Sequence, residues 1–293
     1  MLQNHRGIPF TAARINPGGQ AFSGTSMLEL EFAEVSDPGK VREHNEDFIG
    51  HFAPASQAEV RSHGWLFALA DGVGGQDRGE VASSTAVETL ITSFRCDAKA
   101  GESSGALLQR LAQIANLKVY ETGAATGPGG SSMCTTLVTC LLRYDRVTIA
   151  HVGDSRCYLI RRGQANMLTN DHTLVGEQVR MGLLSEREAA ESERRHVLSR
   201  SLGANMFVNA EVNEHQILPG DLVLLSSDGF HGPVTAAEIA TVTNRFPDLK
   251  QAATELVALA RDKDGSDNIS VQLIRIKSVE RVGMYRGRPY KLR

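Results

Sequence analysis

No pair of cysteines in this chain stands at CxxC spacing, no apolar run approaches the roughly 18–20 residues of a membrane span, and neither sign of charge dominates. Each absence removes a class of protein. The four cysteines, Cys96, Cys134, Cys140 and Cys157, sit mostly in apolar runs and read as buried free thiols of a reducing compartment, not as disulfides or a metal cluster. Thirty-one basic against 34 acidic residues leave a formal charge of −3, which gives no reason to expect nucleic acid as a partner. The opening residues, MLQNHRGIPFTAARINPGG, lack the continuous apolar core of a secretory signal, so the expected location is the cytoplasm. No repeat at solenoid period and no long linker divide the chain. One domain is expected over 27–277, with a loose arm over 1–26 and a basic tail over 278–293 (Arg281, Arg286, Arg288, Lys291, Arg293) that is either solvated or a docking element.

What the chain does contain is organised around residues 65–80, WLFALADGVGGQDRGE. An apolar run ends abruptly at Asp71, and Gly72, Gly74 and Gly75 follow. That pattern is a buried strand opening into a tight loop, then a helix from Gly79 with Ala82, Ala86 and Leu90 on one face. A carboxylate at the end of a buried strand is costly without a partner, and glycines let backbone approach whatever it holds.

Earlier in the chain, Leu28, Leu30 and Phe32 alternate in an edge-type strand, and Val41–Phe52 reads as a second strand that is unusually polar at Arg42, Asn45, Glu46 and Asp47. Helices are expected at about 80–94 and 103–122. Strands should follow at Cys134–Leu142, Val147–Val152 and Cys157–Ile160, with a fourth from about Gln164 after the Arg162-Gly163 turn. A polar, helical stretch runs from Asn170 to about 193. Leu222–Leu225 is another buried strand, helices lie at about 235–245 and 248–262, and Ile269–Ile276 is the last strand.

Four aspartates share one placement. Asp71, Asp154, Asp228 and Asp267 each stand at or beside the end of an apolar run, next to glycine, serine or asparagine, and Glu46 and Asp47 lie inside another run. Any one of them alone reads as a turn residue. Together they need cations, because like charges in a low dielectric repel by several kcal/mol. All-oxygen donors favour Mg²⁺ or Mn²⁺ over zinc, and five or six carboxylates suit two or three ions. Paired ions are suited to phosphate-ester hydrolysis.

In order along the chain stand VREHNED, ALADGVGG, GDSRCYL, NDHTLV, LLSSDGF and GSDNISV. With these six motifs the chain resembles the PPM family (protein phosphatase type 2C) of metal-dependent serine/threonine phosphatases, in its compact bacterial form, from about Leu28 to Ile276. The resemblance implies an α+β fold, an antiparallel β-sandwich with helices on both outer faces, and a metal site at one end between the sheets. It implies that Asp71 bridges two ions with the Gly72 carbonyl as a further ligand, and that Asp228 and Asp267 complete one of them. Asp154, with Asp228, would hold a weaker third ion. Asp47, and Glu46 less directly, would hold metal-bound waters, and Arg42 would grip the substrate phosphate. The simpler reading of Arg42 is an ion pair with Glu46. The implied reaction is in-line attack by a hydroxide bridging the ions, with no phosphoenzyme.

Implied partners are phosphoserine and phosphothreonine proteins and a cognate serine/threonine kinase pathway, with the enzyme acting as a monomer. A phosphatase of phosphorylated anti-sigma antagonists and a catalytically dead scaffold are the competing readings. Residues 172–200 fall where relatives carry a flap beside the site, with Met181–Leu183 as its apolar tip, though a solvated helix pair fits the same charges. Two departures stand out. Gln76 replaces a frequent histidine, and Cys134 replaces a glycine before the Thr-Thr pair. His172 reads mainly as a hydrogen-bonding scaffold.

Overall fold

The computed structural model describes residues 27–73, 78–97, 102–125, 133–285 and 288–291. The arm over 1–26 therefore lies outside the described residues. Two antiparallel sheets stack face to face. One has the order β1 (Glu29–Asp37), β11 (Ile269–Ser278), β10 (Leu222–Ser226), β7 (Arg156–Arg161), β8 (Gln164–Met167). The other runs β2 (Asp47–Phe52), β3 (Trp65–Val73), β5 (Leu137–Arg143), β6 (Arg146–Val152), β9 (Glu211–Gln216), with β4 (Cys134–Thr135) paired to the end of β3.

The apolar run at 65–70 is continuous because β3 is buried on both faces. Leu66, Ala68 and Ala70 pack against the long helices α2 (Gly79–Asp97) and α3 (Ser104–Ala124). Phe67 and Leu69 point the other way, into the layer between the sheets, where they join Val138, Cys140, Val223, Leu225 and Ile274. On the opposite face, α7 (Ala236–Arg245) and α8 (Leu249–Lys263) cover β10 and β11 through Ile239, Leu249, Ala253 and Leu256. Helix, sheet, sheet, helix is the expected architecture. Among the described residues no helix is long and apolar enough to cross a membrane.

Several boundaries differ from the sequence reading, each for a physical reason. The second strand does not begin at Val41. Residues 41–46 form a loop whose polar groups bond to other loops, and the ladder starts at Asp47. The stretch after Asn170 is two short helices, α4 (Leu174–Arg180) and α5 (Glu186–Glu191), parted by Gly182 at φ +71° and restarted by the Ser185–Glu188 capping box. The small helices α1 (Gln57–Ser62) and α6 (Asp228–His231) and the polar edge strand β9 carry too little apolar periodicity to be read in advance. Within the expected tail, β12 (Val282–Tyr285) and β13 (Arg288–Lys291) pair antiparallel, with Val279 and Val282 buried at the base. No cysteine is paired among the described residues, and burial holds fully for Cys140 and Cys157 only. Cys134 is half-buried and Cys96 exposed.

Candidate active site

Asp71 leaves β3 where the strand is still hydrogen-bonded on both sides. Its N–H donates to Thr136 Oγ1 (2.9 Å), and its carbonyl accepts from Thr136 N–H (2.9 Å) and Thr135 Oγ1 (2.7 Å). Gly72 is required next: a Cβ there would lie 2.3 Å from the Gly79 carbonyl oxygen at the start of α2. Asp47 opposes Asp71 directly across β2 and β3. Asp228 opens α6 after β10, and Gly229 must be bare because a Cβ would stand 2.1 Å from the Asn268 carbonyl oxygen. Asp267 precedes β11, and Asp154 sits on the turn from β6 to β7 behind Gly153 at φ +100°.

These separate elements meet at one end of the sandwich. Arg42, Glu46, Asp71, Gly72, Asp154, Asp228 and Asp267 line one cavity of about 170 Å³, together with Thr136 and His196. Asp47 is buried within reach of the same carboxylates. Every residue assigned to the site from sequence is thus brought to it. Arg42 does not pair with Glu46. Its Nη2 donates to Asp267 Oδ2 at 2.8 Å on the half-exposed rim. The 41–46 loop is tied down by Asn268, whose Nδ2 donates to the Pro38 and His44 carbonyls while its Oδ1 accepts from Glu46 N–H.

The electrostatics are those of a cation site. Burial, then the charges of Asp47, Asp228, Asp154 and Asp267, push the Asp71 carboxyl well above the usual carboxylate range. Burial is also the first cause that pushes Asp47 and Asp154 up to about 7, with Asp228 adding to both. Asp228 is the exception. Burial raises it, but the His196 ring beside it (Nδ1 to Oδ2, 3.6 Å) and the charges of His231 and His196 outweigh that and hold it low.

The orphaned groups point the same way. Both Asp47 carboxylate oxygens are buried without a hydrogen-bond donor. The hydroxyls of Ser270 and Ser227 lie nearby and pull the Asp47 carboxyl down against the larger effect of burial, while Ser227 Oγ accepts from Ser270 N–H (3.0 Å) and Ser270 Oγ bonds to Ser36 Oγ (2.7 Å). Buried carboxylates with so few donors fit hard divalent ions, Mn²⁺ or Mg²⁺. They line the cavity walls instead of closing into a tight triad, which leaves room for ions and their waters. The compact group among the described residues, with ligand atoms within 4.8 Å of one another, is elsewhere: His151, His172 and Glu211. The two rings are stacked, 4.6 Å apart and 15° from parallel, so their in-plane lone pairs do not converge on a single ion.

Sequence reading missed three residues. His196, just past the charged run of α5, offers no spacing signal. Thr136 is hidden in a β-rich stretch. Asn268 was visible only as Asp267's neighbour. Gln76 lies outside the described residues. Residues 172–200, expected as a flap, border a second cavity of about 600 Å³ that shares Asp154, His196 and Asp228 with the first and continues past Val175, Val179, Arg180 and Arg195. Met181 and Leu183 stand exposed at their tip.

The family model described as protein phosphatase 2C matches residues 34–269, a span that holds every one of these carboxylates. This chain belongs to the protein phosphatase 2C family. The serine/threonine phosphatase stp of Listeria innocua is 33% identical over 255 residues, covering 86% of this chain and 96% of that protein. Among solved structures, the Mycobacterium tuberculosis serine/threonine phosphatase PstP/Ppp superposes with a TM-score of 0.74 at 31% identity, over 86% of this chain and all of that one. The catalytic domain of PstP in complex with two manganese ions matches with a TM-score of 0.72 at 31% identity, again over 86% and 100%.

Proposed function

We propose that this chain is a Mn²⁺- or Mg²⁺-dependent protein phosphatase that removes phosphate from serine and threonine side chains, opposing a bacterial serine/threonine kinase. The observation that carries the reading is the convergence of Asp47, Asp71, Asp154, Asp228 and Asp267 from both sheets, with Arg42 on the rim. Divalent ions bound there would lower the pKa of a water and neutralise charge on the attacking and leaving oxygens.

The chain's own residues divide the remaining work. Asp71 and the Gly72 carbonyl face the cavity from one sheet, while Asp228 and Asp267 face it from the other. They would hold the ions between them, with Asp154 and Asp228 taking a weaker third. Asp47, lodged behind Asp71, would order ion-bound waters, and Glu46 would assist from the loop. Arg42 uses one nitrogen on Asp267 and keeps the rest of its fork for two parallel hydrogen bonds to a phosphate. Thr135 and Thr136 hold the Asp71 backbone fixed, so the carboxylate does not have to reorganise as charge develops.

The cavity beside the flap supports a macromolecular substrate. It extends the ion site along Val175, Val179, Arg180, Glu186 and Arg195, a mixed apolar and charged wall suited to polypeptide flanking the phosphoresidue. Hydrolysis of p-nitrophenyl phosphate and of a phosphothreonine peptide with Mn²⁺, then with EDTA, tests the whole. Activity on both that EDTA abolishes is expected; activity that survives EDTA overturns the reading. Deleting 176–195 should cost the peptide far more than the small ester, and equal losses would remove the docking role.

A further inference from the structure

Asp154 stands on a turn whose shape is imposed from behind. Gly153, at φ +100°, is clamped twice by one residue: its N–H donates to His172 Nδ1 (3.3 Å) and its carbonyl accepts from His172 N–H (3.0 Å). His172 is fully buried, and His151 stacks on its ring. For Nδ1 to accept, it must be bare, so the ring proton must sit on Nε2. A buried N–H needs an acceptor, and the group facing Nε2 is Glu211 Oε2 at 3.3 Å. The other Glu211 oxygen accepts from Asn170 Nδ2 at 2.6 Å, which fixes the carboxylate. His151 does not substitute, because its Nε2 faces the Asn170 carbonyl at 2.8 Å.

We infer that Glu211, on the edge strand β9 and outside all six sequence motifs, is a positioning residue for the phosphatase reaction: it sets the tautomer of His172, which in turn fixes the Gly153–Asp154 turn and the aim of the Asp154 carboxylate. The inference rests on the reading of Asp154 as ligand of the weaker third ion. Burial and the neighbouring His151 push His172 down to about 4, so the ring is neutral near pH 7 and its tautomer is the variable that matters. A carboxylate that orients an imidazole which orients a ligand is a recurrent way to tune ion affinity, and breaking such a link costs roughly 10–100-fold.

The test is Glu211→Gln. The amide keeps one oxygen for Asn170 and turns its NH₂ toward His172, which favours the Nδ1–H tautomer and sets two N–H groups against each other at Gly153. Three readouts are taken on the full chain. Nitrogen-15 NMR of the His172 ring should report Nε2–H in the parent and a shift toward Nδ1–H in the variant. Mn²⁺ titration followed by EPR should show the weakest ion losing about tenfold in affinity while the tighter ions are unchanged. In a His172→Asn background, where an amide oxygen can accept from Gly153 N–H unaided, adding Glu211→Gln should change that affinity less than about twofold.

Equal weakening of all ions, or loss of the weakest ion with no change of tautomer, overturns the inference. Asp154→Asn separates the two levels. If it leaves the Mn²⁺ titration unchanged, the third-ion reading fails. If it removes the weakest ion while Glu211→Gln changes neither tautomer nor affinity, only the role of Glu211 fails. Glu211 is a third exposed on a sheet edge, so the variant should fold; Glu211→Ala, which removes the acceptor without supplying a donor, should weaken the preference for Nε2–H and the weakest ion's affinity in the same direction should it not.

Discussion

Asp47 and Asp71 oppose each other on adjacent strands, two carboxylates on one rung of the ladder between β2 and β3. Like charges directly across a pair of strands destabilise a sheet, and here Asp47 is buried and Asp71 half-buried. The fold therefore bears a cost that the bound cations offset.

Asp71→Asn should abolish Mn²⁺-dependent turnover, by more than about 100-fold, as when a preorganised charge-stabilising group is removed. It should also raise the melting temperature of the metal-free protein, because it removes one of the repelling charges. Melting curves with and without Mn²⁺ check this, and the stabilisation that Mn²⁺ gives the parent should shrink.

Arg42→Ala should lower kcat/KM for a phosphopeptide by about 100-fold, and Arg42→Lys should recover only part of it. Lysine restores the charge but not the planar fork. Steady-state kinetics of both variants at saturating Mn²⁺ measure the difference. A full recovery by lysine would reduce the role of Arg42 to plain charge.

Asn268→Ala should loosen the loop that carries Arg42 and Glu46, since it removes the bonds to Pro38, His44 and Glu46 together. A loss of about 2 kcal/mol in stability is expected, on the scale of partly buried hydrogen bonds left unmade. The phosphopeptide KM should rise more than the Mn²⁺ affinity falls, because Asn268 reaches the rim of the cavity before its floor.

Acid should destabilise the protein through His172. Its pKa lies near 4 when folded, against about 6.5 when exposed, so the unfolded chain binds the proton first as pH falls. The stability that the neutral ring contributes is complete above pH 6.5 and is lost between 6.5 and 4, on the order of 3 kcal/mol. Asp47 and Asp154, raised to about 7, act in the opposite sense: without metal, their protonation below pH 7 stabilises the fold. Urea denaturation of the parent and of His172→Asn across this range, in EDTA, isolates the histidine. The difference between them should shrink toward pH 4.

Most of this could be read from the chain, for reasons that particular residues make plain. β3 announced itself because burial on both faces makes an unbroken apolar run, and Asp71 because the run stops on a charge. Arg42 lies on the cavity rim, and the alternative reading of it, an ion pair with Glu46, does not form. A spacing of four residues suggested Glu46, yet residues 41–46 are not helical, and the guanidinium turns to Asp267, 225 positions away. β9 was invisible because Glu211, Asn213 and His215 make it polar along an edge, and with it went any view of Glu211 meeting His172. Contacts of that kind are set by how two sheets lie on one another, which neither periodicity nor spacing encodes.

Asp47 and Asp71 belong to one sheet, Asp228 and Asp267 flank strands of the other, and Asp154 stands on the turn that passes between them. Any ion shared among these groups is a rivet through the seam of the sandwich. Stripping it with a chelator should do more than halt turnover: the two halves lose a fastening, and proteases should find the depleted protein an easier target than the loaded one.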